Sequence, residues 1–119
     1  MLTLPRGERL RRSAEFQAVF QQGSRLERPS FVALWRRGAG RRVGFAVSRQ
    51  LRGAVGRNRA RRRMREAYRR IRPLIGEDIE LVLVARAAAA SRPFPDLVED
   101  MRWLAGSLAR VSAGASKRA

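Results

Sequence analysis

An α+β sandwich is the fold class that this sequence predicts. Amphipathic helical segments alternate with short strand-like runs, one strand is aliphatic on both faces, and 119 residues fill one domain with no room for a second. An apolar content of 45% is enough to build a core, so wholesale disorder is not expected.

The first helix is expected over Ser13 to Gln22, where Ser13 suits an N-cap and Phe16, Val19 and Phe20 recur at helical spacing. Gly23 then stands in the usual terminating position. Phe31 to Trp35 and Val43 to Ser48 read as two strands, joined around Gly38 and Gly40 as a hairpin. Alternation puts Phe31, Ala33 and Trp35 on one side and Val32 and Leu34 on the other. In the second strand Val43, Phe45 and Val47 oppose Gly44, Ala46 and Ser48. One face of the sheet is therefore bulky, and the other has room for something to lie on it.

A long helix is expected from Arg57 to about Arg72, stopped by Pro73. Glu80 to Ala85 is a strand buried on both faces, and a loop from Ala87 to Pro95 leads to a last helix over roughly Asp96 to Val111. Leu97, Met101, Leu104 and Leu108 form its apolar stripe. Residues 1–9 and 112–119 are expected to be flexible ends of the single 1–119 domain.

Charge narrows the function. Lys and Arg number 27 against 10 Asp and Glu, a net charge of +17. Such a surplus repels itself, and a polyanion relieves it; neutralising phosphates is what drives nucleic-acid binding. No apolar run reaches membrane-spanning length, and no apolar signal core precedes the first charges, so the expected place is the cytoplasm. The chain has no Cys and no His, which excludes disulfides, thiolate sites and the commonest general base. Lys117 is the only lysine. Arginine offers planar bidentate contacts to phosphate, although a GC-rich genome accounts for the choice of Arg over Lys as well.

The run RNRARRRMREAYRR, Arg57 to Arg70, holds eight arginines in fourteen positions. At about 100° per residue, Ala60, Met64, Ala67 and Ile71 form a core-facing stripe with Tyr68 at its edge. Asn58, Arg61, Arg62, Arg65 and Arg69 gather on an adjacent arc, with Arg59, Arg63 and Arg70 on the other flank beside Glu66. A charge run is usually only a solvated face. Here the pairs Arg57–Arg61, Arg61–Arg65 and Arg65–Arg69 each destabilise an isolated helix by about 0.2–0.5 kcal/mol, and few acids offset them. Nucleic-acid contact explains the arc better than solubility does.

These residues also carry a family resemblance. The stretch SRQLRGAVGRNRARRRMREAYR, Ser48 to Arg69, resembles the signature of the bacterial ribonuclease P protein component. LRRSAEFQAVFQQG, Leu10 to Gly23, is similar to that family's first helix, and IELVLVAR, Ile79 to Arg86, matches in kind and place. The resemblance covers roughly Leu10 to Leu108. It implies a small single-domain α–β sandwich of order αβββαβα, like the second domain of ribosomal protein S5. The implied βαβ crossover is left-handed, where nearly all such units are right-handed.

The resemblance further implies two RNA surfaces. Arg57, Asn58, Arg61, Arg62, Arg65 and Arg69 would meet the catalytic RNA. Phe16, Phe20, Val32, Leu34, Ala46 and Ser48, with Arg49 at the edge, would form a cleft for the single-stranded 5′ leader of precursor tRNA. Phe20 suits core and cleft equally, whereas Phe16 suits the cleft better. Two departures stand out: Arg52–Gly53 replaces a common Gly-Asn, with Gly53 still able to make the turn, and Leu34 stands where an aromatic is common.

The implied reaction is Mg²⁺-dependent hydrolysis that leaves a 5′-phosphate on mature tRNA, with the ions held mainly by the RNA partner. No side chain of this protein is assigned to catalysis, and no membrane or small-molecule substrate is expected. Glu77, Asp78 and Glu80, the one local acidic cluster, read as a solvated turn before a strand. A ribosomal protein or RNA chaperone would share the charge without needing the Phe16 cleft. A membrane-surface or DNA-coating protein is the third class, disfavoured by the mixed strand pattern.

Overall fold

The computed structural model describes the backbone of residues 13–38 and 40–118 and the side chains of residues 17–38 and 40–111. The elements follow the order α1 (Ser13–Gln22), β1 (Ser24–Glu27), β2 (Phe31–Arg37), β3 (Arg42–Val47), α2 (Ala54–Ile71), β4 (Ile79–Ala85), α3 (Ala88–Ser91) and α4 (Phe94–Arg118). A 3₁₀ turn, Arg72–Leu74, closes α2 where Pro73 removes a backbone donor. Residues 1–9 lie outside the described residues.

The four strands form one sheet in the order β1-β2-β4-β3. The expected hairpin between Phe31–Trp35 and Val43–Ser48 is therefore not formed. β4 lies between these strands, antiparallel to β2 with Leu34 opposite Val82, and parallel to β3 with Ala46 opposite Val84. The reason lies in β4 itself. Its aliphatic side chains can be buried on both faces only in the middle of a sheet, and the α2 crossover delivers it there. The hairpin that does form joins β1 to β2 through residues 28–30, with Arg25 opposite Leu34.

The bulky side of the sheet carries the main core. Phe31, Ala33, Trp35, Val43 and Val47 pack against Ala60, Met64, Ala67, Tyr68 and Ile71 of α2 and Leu97, Met101, Leu104 and Leu108 of α4. The Tyr68 ring meets Phe45 edge-to-face at 5.7 Å. On the opposite side Val19 of α1 is buried with Leu34 and Val82, with Val32 and Val84 packed beside them. Gly23 lets the chain turn from α1 into β1, because a Cβ there would sit 2.9 Å from the Trp35 carbonyl oxygen. Gly53 precedes α2 with φ +91°, a conformation that side chains rarely adopt.

Helix boundaries depart from expectation in a consistent way. α2 begins three residues before Arg57, at Ala54, because Gly53 turns the chain. The expected loop at Ala87 to Pro95 contains the single-turn α3, and α4 begins at Phe94 and continues to Arg118. Glu80 is not in a solvated turn: it is buried within β4 and accepts from Arg36 Nε at 2.7 Å. Asp78 pairs with Arg37 at 3.1 Å.

Candidate nucleic-acid interface

The arginines of α2 divide by what their guanidinium groups touch. Arg59 donates from Nε to the Ala90 carbonyl at 2.8 Å. Arg63 donates from Nε to the Ala89 carbonyl at 2.8 Å and from Nη2 to the Arg92 carbonyl. Arg70 and Arg63 both stand over the Phe94 ring, Arg70 at 5.0 Å. This flank holds α3 and the start of α4 onto α2. Burial, and then the neighbouring Arg59 charge, lower the Arg63 pKa from a value high enough that the group stays charged.

The other side of the helix is open. Asn58, Arg62 and Arg65 are exposed, and Arg61 and Arg69 are half-buried along the same arc. Arg62 makes no ion pair or hydrogen bond among the described residues, and the same holds for the exposed Arg49 and Arg52. Arg61 reaches Asn58 Oδ1 at 3.4 Å, Arg69 pairs with Glu66 at 2.5 Å, and Arg65 stands 5.9 Å from the Phe45 ring centroid.

Arg57 differs from the rest of the expected RNA-facing set. Its Nη1 donates to the carbonyls of Ser48 and Leu51 at 3.0 and 2.9 Å, and its Nη2 to that of Val47 at 3.3 Å. It fastens the start of α2 to the chain leaving β3.

That same chain segment borders a groove of about 470 Å³ on the smaller-residue face of the sheet. Val32 and Val84 form its apolar floor, Ser48 and Gln50 one wall, and Arg25 and Arg86 bring charge to it. Glu27 links the two arginines, at 2.5 Å from Arg25 and 3.5 Å from Arg86. The groove exists because α1 covers only part of this face. Val19 seals the row of Leu34 and Val82, while Val32, Val84 and Ala46 in the next row are left half-buried.

Of the expected cleft residues, Val32 and Ser48 line this groove. Ala46 lies opposite Val84 in the adjoining strand, and Arg49 is exposed between Ser48 and Gln50. Leu34 is 8% exposed and packed under α1. Phe20 is 45% exposed, so it is not a core residue; Val19 takes that role. The Phe16 side chain lies outside the described residues. Sequence reasoning missed Arg25 and Gln50 as groove residues and treated Arg86 only as the end of a strand. Arg25 belongs to β1, whose four residues SRLE carry no apolar period, so only the pairing with β2 reveals them.

A sheet covered by α2 and α4 on one side and partly by α1 on the other, with a cationic face on α2 and an arginine-bordered groove beside α1, defines a small α+β nucleic-acid-binding protein. The sequence model of the Ribonuclease P family matches residues 4–109. The chain is 44% identical over 108 residues to the ribonuclease P protein component of Symbiobacterium thermophilum, covering 86% of this chain and 94% of that protein. It is 42% identical over 103 residues to that of Gluconacetobacter diazotrophicus, covering 82% and 87%. The RNase P protein of Thermotoga maritima superimposes with a TM-score of 0.71 at 29% identity, over 82% of this chain and 94% of the other. The chain belongs to the family of ribonuclease P protein components. Its role is that of the protein subunit of a ribonucleoprotein endoribonuclease that matures tRNA 5′ ends, and its partner in that particle is an RNA.

Proposed function

We propose that the α2 arc docks on the catalytic RNA while the sheet-face groove takes the 5′ leader of precursor tRNA, in the cytoplasm. The observation that carries this reading is the split within α2. On one flank Arg59 and Arg63 hold carbonyls and Arg70 the Phe94 ring, and on the other Asn58, Arg61, Arg62, Arg65 and Arg69 share one arc whose exposed members are Asn58, Arg62 and Arg65. A band fixed by a buried stripe tracks phosphates without first having to be ordered. The groove suits an extended single strand: bases against Val32 and Val84, phosphates toward Arg25 and Arg86, with the exposed Arg49 between the lining residues Ser48 and Gln50.

Hydrolysis adds water to the phosphodiester at the leader junction, expels the leader's 3′ oxygen and leaves the 5′-phosphate on tRNA. Among the described residues no three His, Cys, Asp or Glu side chains converge on a point that could hold a metal ion. We assign Mg²⁺ mainly to the RNA partner, as the family resemblance implies, and give this chain the work of binding and charge neutralisation. Among the described residues, no helix is long and apolar enough to cross a membrane.

Reconstitution tests the reading. The purified chain, mixed with ribonuclease P RNA at low Mg²⁺, is expected to stimulate cleavage of precursor tRNA and to tighten binding of leader-bearing substrate over mature tRNA. A folded protein that gives no stimulation overturns it.

A further inference from the structure

Beyond the groove, α4 presents an exposed aromatic side chain. Trp103 of α4 is 36% exposed, whereas the other tryptophan, Trp35, is 8% exposed and part of the core. The Arg28 guanidinium stands over the Trp103 ring, 4.8 Å from its centroid. That guanidinium does not wander, because Arg28 Nε donates to Asp100 Oδ1 at 3.0 Å. Asp100 is 2% exposed and is held in turn by Arg92 Nη1 at 2.6 Å and by the Ser30 backbone N–H at 3.3 Å. An indole capped on one face by a fixed guanidinium is a preorganised stack of two flat groups.

α4 packs on the side of the sheet opposite the groove, and the turn at Arg28 joins the two. Arg86, which lines the groove, donates from Nη1 to the Arg28 carbonyl at 3.2 Å. A strand that left the groove past Arg86 and rounded the sheet at this turn would come to Arg28 and then to Trp103. Resting on the leader reading above, we infer that Trp103 and Arg28 form a stacking site for a base of single-stranded RNA, occupied by the leader-distal nucleotides that extend out of the groove. Every base has a π face, so the site takes single-stranded RNA without demanding a sequence. Arg28 adds attraction both to the base and to the phosphate beside it.

The test uses reconstituted holoenzyme and a series of precursor tRNAs whose leaders lengthen from the cleavage site outward. Trp103→Leu keeps apolar bulk but loses the stacking face; Trp103→Phe keeps a ring. For leaders long enough to leave the groove, Trp103→Leu is expected to weaken binding by roughly 5- to 150-fold, the range that stacking of one base contributes. Trp103→Phe should recover most of that loss, and short leaders should bind all variants equally, which also shows that the variants fold. Binding of a long leader should quench the wild-type tryptophan fluorescence, and the quench should vanish in Trp103→Phe. If long leaders bind Trp103→Leu as well as wild type, or if short and long leaders lose affinity alike, the stacking site is overturned and the groove stands. If the wild type itself is indifferent to leader length and presence, the groove reading fails, and this site with it.

Discussion

The two flanks of α2 are built from the same residue and do opposite things. Arg59 and Arg63 turn inward along the helix and saturate carbonyls of Ala89, Ala90 and Arg92, whereas Arg62, on the opposite flank, meets no partner among the described residues. A guanidinium has five donors, and where carbonyls lie within reach it becomes a structural staple. Where none does, its charge stays available to a polyanion. The difference comes from what packs beside each flank: α3 and α4 supply acceptors to Arg59 and Arg63, and no described residue supplies one to Arg62.

The sharpest way to break that division is to cut the inward side at its root. Asp100 receives Arg28 and Arg92, and the Arg92 carbonyl is also an acceptor for Arg63. Asp100→Ala leaves two guanidiniums without their buried partner and is expected to lower stability by about 3–5 kcal/mol, read by denaturant or thermal unfolding. Burial alone would raise the Asp100 carboxyl pKa, but hydrogen bonds from Ser30 and Arg28 and the charges of Arg92 and Arg28 together bring it below the ordinary value. A depressed pKa means that the unfolded chain binds the proton more readily. The stabilisation is therefore complete above about pH 4 and is lost as the pH falls through the folded-state value. Asp100→Asn should flatten that acid limb, and an unchanged acid limb would remove Asp100 from the account.

Next in size is the inward flank itself. Arg63→Ala leaves the Ala89 and Arg92 carbonyls without their donor and is expected to cost about 1–3 kcal/mol of folding stability. The salt dependence of RNA binding should not move, because Arg63 holds protein rather than phosphate. A slope that drops with Arg63→Ala would show that this flank also reaches RNA.

Arg62→Ala is the mirror experiment. Stability should change by no more than about 0.5 kcal/mol. The slope of log affinity for the catalytic RNA against log salt should fall by ~0.7–0.9, the loss of one phosphate contact. Arg65→Ala should lower the slope similarly, with a small added cost from its position over Phe45.

This contrast also marks how far the sequence could be read. The stripe of Ala60, Met64, Ala67 and Ile71 is periodic, and the arc beside it follows from helical geometry alone, so both were visible before folding. The two-sided burial of β4 was visible in its aliphatic run. What stayed hidden depended on partners distant in the chain. Arg59 and Arg63 find acceptors 31 and 26 residues away, and no local pattern announces an available carbonyl. The false hairpin has the same origin. Neighbouring strands usually pair, and nothing within residues 31–48 says that β4 will come between them. Arg57 has a structural role that the resemblance does not announce. The motif placed it with the RNA-facing residues, but its position beside the end of β3 gives it three carbonyls to hold.

The smallest expected effect reverses the comparison instead of breaking it. In the groove, Arg25 and Arg86 are neither stapled to a buried carboxylate nor left open; the half-exposed Glu27 occupies both. Exposed pairs of this kind contribute only about 0–1 kcal/mol, so a phosphate can displace the carboxylate at little cost. Glu27→Gln should leave folding almost unchanged and free Arg25 and the Nη2 side of Arg86 for the groove, while Arg86 Nη1 stays on the Arg28 carbonyl. Affinity for leader-bearing precursor tRNA should then rise by up to about fivefold, with the salt slope steepening. Mature tRNA, which has no leader to place there, should bind as before. If both RNAs gained equally, the effect would be one of net charge alone, and Arg25 and Arg86 would belong with the stapled arginines.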